Sequence, residues 1–228
     1  MRSLQSYADS RHLLSCAFCA GSTGTRDHCP SRVFLDQPYP ENLPVVPACL
    51  ECNAKFSTDE EYLACLISCV IAGSTDPAAV ARDKVRRILE EKPSLRARLE
   101  QARQLTSRGL EWTAETSRAE TVIRKLAQGH ALHELGEPRH NVPTELVIRP
   151  MPTLSHGERE WFETPAPASI WPEVGSRAMQ RMVLGNDTTF GWIEVQEGRY
   201  RYSARIGAGV EIRIVIHEYL VGYCRWED

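Results

Sequence analysis

Two pairs of cysteines open the chemistry of this chain. Cys16-Ala-Phe-Cys19 and Cys49-Leu-Glu-Cys52 are C-x2-C units separated by 29 residues. Each unit makes a tight knuckle that aims two thiolates at one ion. Two knuckles together give the tetrahedral four-sulfur environment of a structural zinc. The gap is longer than in a simple zinc ribbon, so it holds an insertion. A pair of redox motifs is the competing reading, but a thioredoxin-like C-x-x-C normally occurs once, beside a strand–helix–strand pattern that is absent here. The gap and its flank carry Thr25-Arg-Asp-His-Cys-Pro-Ser-Arg32, Glu41-Asn-Leu-Pro-Val-Val-Pro-Ala-Cys49 and Cys52-Asn53. Phosphodiester hydrolysis needs an activated water, a cation on the phosphoryl oxygens and help for the leaving oxygen. A histidine titrating near 6.5 is the natural base at neutral pH, and a divalent ion neutralises charge without moving a proton. On a strand, Asp27 and His28 point in opposite directions, so one can bind metal while the other faces the water. The Asp27 carboxylate and the Asn53 amide are oxygen ligands of the kind that suits magnesium or manganese.

Taken in order, these pieces resemble the zinc-knuckle form of the HNH endonuclease family: a C-x2-C knuckle, an Asp-His pair, Asn42-Leu43 before a short apolar strand, and Ala48-Cys-x2-Cys-Asn53. The resemblance covers roughly residues 12–62. It implies a two-strand hairpin followed by a short packed helix, the ββα-metal fold, and cleavage of DNA phosphodiester bonds. His28 would be the general base, Asp27 and Asn53 the ligands of a catalytic Mg2+ or Mn2+, and Asn42 the brace that aims His28. Cys16, Cys19, Cys49 and Cys52 would hold structural zinc. Many relatives carry Lys and Gly two and three positions after the asparagine; here Lys55 is retained and Phe56 replaces the glycine. Arg32 and Lys55 are the expected phosphate contacts, and Cys29 a packing residue. A non-catalytic zinc-knuckle module that binds nucleic acid or protein is the runner-up. A decayed nuclease would be expected to have lost Asp27, His28 or Asn53, and all three are present. A thiol–disulfide oxidoreductase, which requires zinc-free protein, comes third.

The elements that must position these residues can be read in part. Ser57 with Glu60 three residues on forms a capping-box pattern, and Leu63, Leu66, Ile67, Val70 and Ile71 follow with helical spacing up to Gly73. Asp76-Pro77 opens a second helix. Lys92-Pro93-Ser94 interrupts it, a third helix runs from about Leu95 to Gln104, and a fourth from about Ala114 to Ala127, ending at Gly129. Prolines from Pro138 to Pro172 mark an irregular stretch. Trp192–Gln196, Arg199–Arg205 and Val210–Ile216 then alternate as strands of an antiparallel meander ending near Trp226. The expected class is α+β: residues 1–75 a zinc-knuckled nuclease module, 76–137 a helical region, and 138–228 a mostly β region of unassigned role. Cys65, Cys69, Tyr200 and Tyr202 read as core, as do Trp192 and Tyr219.

With 228 residues and 42% apolar composition, the chain is long enough for one large domain or two small ones. No apolar run reaches the eighteen residues of a membrane span. The first fourteen residues lack a signal-peptide core, and reduced thiols are expected, so a cytoplasmic location follows as an expectation. The net charge of −3 hides an asymmetry. Residues 1–77 carry 5 basic against 9 acidic side chains, whereas residues 78–140 carry 13 against 9. Arg82, Lys84, Arg86, Arg87, Arg96, Arg98 and Arg103 make the helical middle the expected footprint for DNA.

Overall fold

The computed structural model describes residue 12 and residues 14–41, 43–107, 109–165, 170–174, 176–185 and 191–227. Strands β1 (Thr25–His28) and β2 (Val45–Ala48) pair antiparallel, with Asp27 opposite Val46 and His28 opposite Val45. Helix α1 (Leu50–Ala72) begins one residue after β2. Its start corrects the capping box expected at Ser57. Cys49 is the N-cap, its sulfur accepting the N–H of Cys52 at 3.3 Å, so the second knuckle doubles as the helix start. Ser57 lies two turns inside and donates to the Ala54 carbonyl at 2.9 Å. The helix is therefore 23 residues long rather than short. It ends at Gly73, where the sequence stops it. Tyr62–Cys69 is buried on every side, because α1 is wedged between the hairpin and the helices that follow.

The middle region starts with a short 3-10 turn at Pro77–Ala79, capped by the Asp76 carboxylate, where the sequence suggests a full helix. Helices α2 (Asp83–Glu91) and α3 (Pro93–Gln101) are split at Lys92 as expected. A small hairpin, β3 (Arg103–Thr106) with β4 (Gly109–Trp112), stands where helix or loop was expected. Helix α4 (Thr116–His130) runs past the expected stop at Gly129 and continues as a π-helical turn through Leu135. Gly129 serves packing instead. A Cβ there would lie 2.6 Å from the Cys29 sulfur, so glycine lets α4 lie directly against the end of the hairpin.

Strand β5 (Glu145–Pro150) arises inside the proline-punctuated stretch, followed by α5 (His156–Glu163), with a Ser155–Glu158 capping box, and α6 (Arg177–Gly185). The expected meander is present as β6 (Ile193–Gln196), β7 (Tyr200–Gly207), β8 (Gly209–Ile216) and β9 (Leu220–Trp226). Strand β5 joins its far edge, giving the order β5-β9-β8-β7-β6. The result is α+β, with six α-helices among the described residues.

The pleat sorts the sheet's two faces. Ile212, Ile214 and Ile216 point into the main core with α1 and α4, while Val215, Val221 and Tyr223 pack with Phe162 of α5. Gly222 of β9 lets Ile123 of α4 approach the sheet, since a Cβ there would lie 2.7 Å from its Cγ2. His130 at the end of α4 hydrogen-bonds the Tyr200 hydroxyl at 2.7 Å and stacks on Tyr202. Helix α4 is thus held by α1 on one side and the sheet on the other. The largest hydrophobic cluster draws buried side chains from all three regions read from the sequence, among them Cys29, Leu63, Leu89, Leu126, Ile214 and Trp226.

Candidate functional site

The four knuckle cysteines converge. Their sulfurs all lie within 4.8 Å of one another. A zinc tetrahedron with Zn–S bonds of about 2.3 Å has S···S edges of about 3.8 Å, and Cys19 Sγ and Cys49 Sγ are 3.8 Å apart. The first knuckle is closed by Cys16 N–H to the Gly21 carbonyl at 2.7 Å and tied to the hairpin by Ala17 N–H to Pro47 at 2.9 Å. Phe18 and Phe56 meet edge to face beneath it. The Cys52 backbone N–H beside Cys49 brings that thiol down to about 7, so it parts with its proton near neutrality. Together, the four cysteines can hold a metal ion such as zinc. Among the described residues, no other group of three or more His, Cys, Asp or Glu side chains is arranged to do so.

On the hairpin, Asp27 and His28 border one cleft of about 250 Å³, with Ser31, Arg32 and Glu60 on its walls. Asp27 is buried and His28 half-buried, the difference expected from opposite faces of a strand. Burial, and then the charge of Arg32, hold the His28 imidazole below its ordinary 6.5 against the pull of Asp27. The ring is neutral at pH 7 and able to accept a proton.

Behind Asp27 lies a group that local motifs do not reveal. Lys125, 1% exposed, reaches from α4 to Asp27 Oδ2 at 2.8 Å and to Glu60 Oε1 at 2.5 Å. It also donates to Ser31 Oγ at 2.8 Å, and Ser31 in turn donates to Glu60. Burial pulls the Lys125 pKa down, but Glu60 and then Asp27 outweigh it and hold the ammonium above its usual value. Burial also raises Glu60, against the counter-pull of Lys125. Two carboxylates therefore share one buried cation.

Asn53, on the first turn of α1, donates through its amide nitrogen to Thr25 Oγ1 at 3.2 Å, which leaves its carbonyl oxygen as an acceptor. Asn42 lies outside the described residues. Arg32 sits on the 3-10 turn after β1 and borders the cleft. Lys55 is exposed on α1 and is not part of the cleft wall.

The basic middle region is more internally paired than its sequence suggests. Arg82 is buried, bonded to Asp36 and to the Val33 and Leu35 carbonyls, so it cannot meet phosphate. Arg86, Arg98 and Arg103 pair with Asp83, Glu115 and Glu100.

Comparison with known proteins returns no matching family model, no similar curated protein and no similar solved structure. Residue chemistry and geometry therefore carry the functional reading. No local motif marks Lys125 or Ser31, and the Ser57–Glu60 spacing presents Glu60 as a helix cap although it faces Lys125. Lys125 is separated from Glu60 by 65 residues and from Ser31 by 94, and no spacing rule spans such distances. Lys125 interrupting the apolar Val122, Ile123, Leu126 and Ala127 of α4 was the one available signal.

Proposed function

We propose that this chain is an HNH-type endonuclease that hydrolyses DNA phosphodiester bonds, with His28 as general base. The observation that carries this reading is a neutral, half-buried imidazole beside a carboxylate, in a cleft mounted on a hairpin and helix that a four-cysteine cluster clamps together. His28 takes the proton of the attacking water. Arg32, on the same wall, offsets charge on the phosphate. The Asp27 carboxylate and the Asn53 carbonyl oxygen, left open by the bond of its amide nitrogen to Thr25, would hold magnesium or manganese, which prefer such oxygen donors. Lys125 offsets part of the charge of the single carboxylate, so a metal held there would draw further oxygen ligands from outside the protein, as is usual for magnesium. Such an ion, when bound, supplies charge neutralisation on the phosphoryl group. Cys16, Cys19, Cys49 and Cys52 would hold a structural zinc, whose four-sulfur ligation would tie the start of α1 to the first knuckle.

A second reading, a binding module without catalysis, is favoured by one specific contact: the Lys125 ammonium already occupies one oxygen of Asp27. A plasmid-nicking assay separates the two. The wild type should nick in Mg2+ or Mn2+ and not in metal-free buffer, and His28→Ala should lose the activity while keeping its zinc and its fold. Binding of DNA without nicking under any divalent ion would establish the second reading instead.

A further inference from the structure

The acidic groups around the cleft share one property. Each is bonded to a cation. Asp27 and Glu60 hold Lys125, Glu61 holds Lys92, Asp83 holds Arg86, and Asp36 is bonded by both Arg82 at 2.8 Å and Arg199 at 2.5 Å. A second cleft, of about 390 Å³, adjoins the first, and Lys84 borders both. Its wall adds Tyr39 and Arg87. Lys84 and Arg87 have no carboxylate partner among the described residues. Local charge is therefore positive, although residues 1–77 are net acidic.

Tyr39 organises these cations. The Arg32 guanidinium lies 5.5 Å and the Lys84 ammonium 5.7 Å from its ring centroid, both within cation–π range. Lys84 Nζ also donates to the Tyr39 hydroxyl at 3.4 Å. Two long side chains from different elements, the turn after β1 and helix α2, are gathered onto one ring. Holding them there lowers the rotamer entropy lost when an anion binds.

We propose that Arg32, Tyr39, Lys84 and Arg87 form a phosphodiester-binding groove that leads into the His28 cleft and holds the nucleic-acid backbone next to the scissile phosphate. The inference rests on the nuclease reading for the direction of the strand, but binding in the groove requires no cleavage. Arg32, Lys84 and Arg87 contact phosphate oxygens. Tyr39 is a positioning residue that acts through Arg32 and Lys84.

The test is fluorescence anisotropy with a dye-labelled 20-base-pair duplex and zinc-loaded full-length His28→Ala protein, without added divalent ion, over a sodium chloride series. Lys84→Gln and Arg87→Gln, added singly, should each weaken binding and flatten the log–log salt slope by about 0.9. Arg159→Gln, an exposed cation on α5, should leave the slope unchanged. Tyr39→Ala should weaken binding several-fold, and Tyr39→Phe, which keeps the ring, should recover most of it. Zinc content and circular dichroism confirm the fold of each variant. Slopes for Lys84→Gln and Arg87→Gln equal to the parent's, or no binding by the parent at low salt, overturn the groove. A wild type that binds with these slopes but never nicks sinks the nuclease reading and leaves the groove standing.

Discussion

Replacing Lys125 by Met removes the one cation between Asp27 and Glu60 while keeping most of the side chain's bulk. Lys125 is 1% exposed and has three oxygen partners within 2.8 Å, so water cannot take the place of the lost charge. Removing one partner of a buried ion pair costs about 3–5 kcal/mol, mostly the penalty of the charge left behind. That penalty depends on pH in a definite direction. Burial already holds the Glu60 carboxyl above its ordinary value, and without the ammonium that opposes this its folded-state pKa rises further above an unfolded value of about 4. Between the unfolded and folded values the native state then binds more protons than the unfolded chain, so stability falls as pH rises. The loss relative to wild type should therefore be small at pH 4.5 and reach its full size by pH 8. Urea denaturation followed by tryptophan fluorescence at the two pH values measures it. Adding Glu60→Gln to Lys125→Met should recover part of the loss at pH 8, because one stranded charge is gone. A Lys125→Met protein within about 1 kcal/mol of wild type at pH 8, a threshold set below the usual cost, would refute the argument. So would an equal loss at both pH values.

The remaining expectations concern the metal cluster, the base and the packing of α4. Purified protein should contain one zinc per chain, and Cys49→Ser should release it and lower the melting temperature, because Cys49 caps α1 and would be one of the four ligands; zinc-free protein with unchanged melting would refute this. Nicking by wild type should decline only below about pH 6.5, since burial holds His28 beneath that value, and His28→Ala should cost roughly 10² to 10⁴-fold; a rate still climbing steeply from pH 7 to 8 would assign the base elsewhere. Gly129→Ala should destabilise by about 1–3 kcal/mol through overpacking against Cys29. Adding Cys29→Ala should return most of that loss, as denaturation of the three variants would reveal.

What the sequence discloses and what it hides divide along the range of the interactions. The knuckles are legible because ligand spacing is local and thiolate chemistry is narrow. Asp27 and His28 are legible as neighbours, and the β7–β8–β9 meander through its alternation. The start of α1 is misread because cysteine is not an ordinary N-cap, and because Ser57 and Glu60 imitate one while Glu60 faces Lys125. Strand β5 is concealed by flanking Pro143 and by Pro150 at its end, which an edge strand tolerates. Arg82 looks like surface charge beside Lys84 and Arg86, yet it is buried on Asp36. Charge counted along a chain cannot distinguish an internal pair from an open cation.

The position of β5 bears on how this protein emerges from the ribosome. Its one ladder is with β9: Glu145 sits opposite Arg225 and Pro150 opposite Leu220. Translation at about 5–20 residues per second leaves roughly 4–15 s between synthesis of the two strands. Throughout that interval Leu146, Val147 and Ile148 belong to a strand with neither edge satisfied, a template for pairing with another nascent chain. Glu145 and Arg149 at its two ends supply the charge that discourages such pairing. Neutral residues at both positions should therefore lower the soluble yield of newly made protein more than they lower the stability of protein already folded.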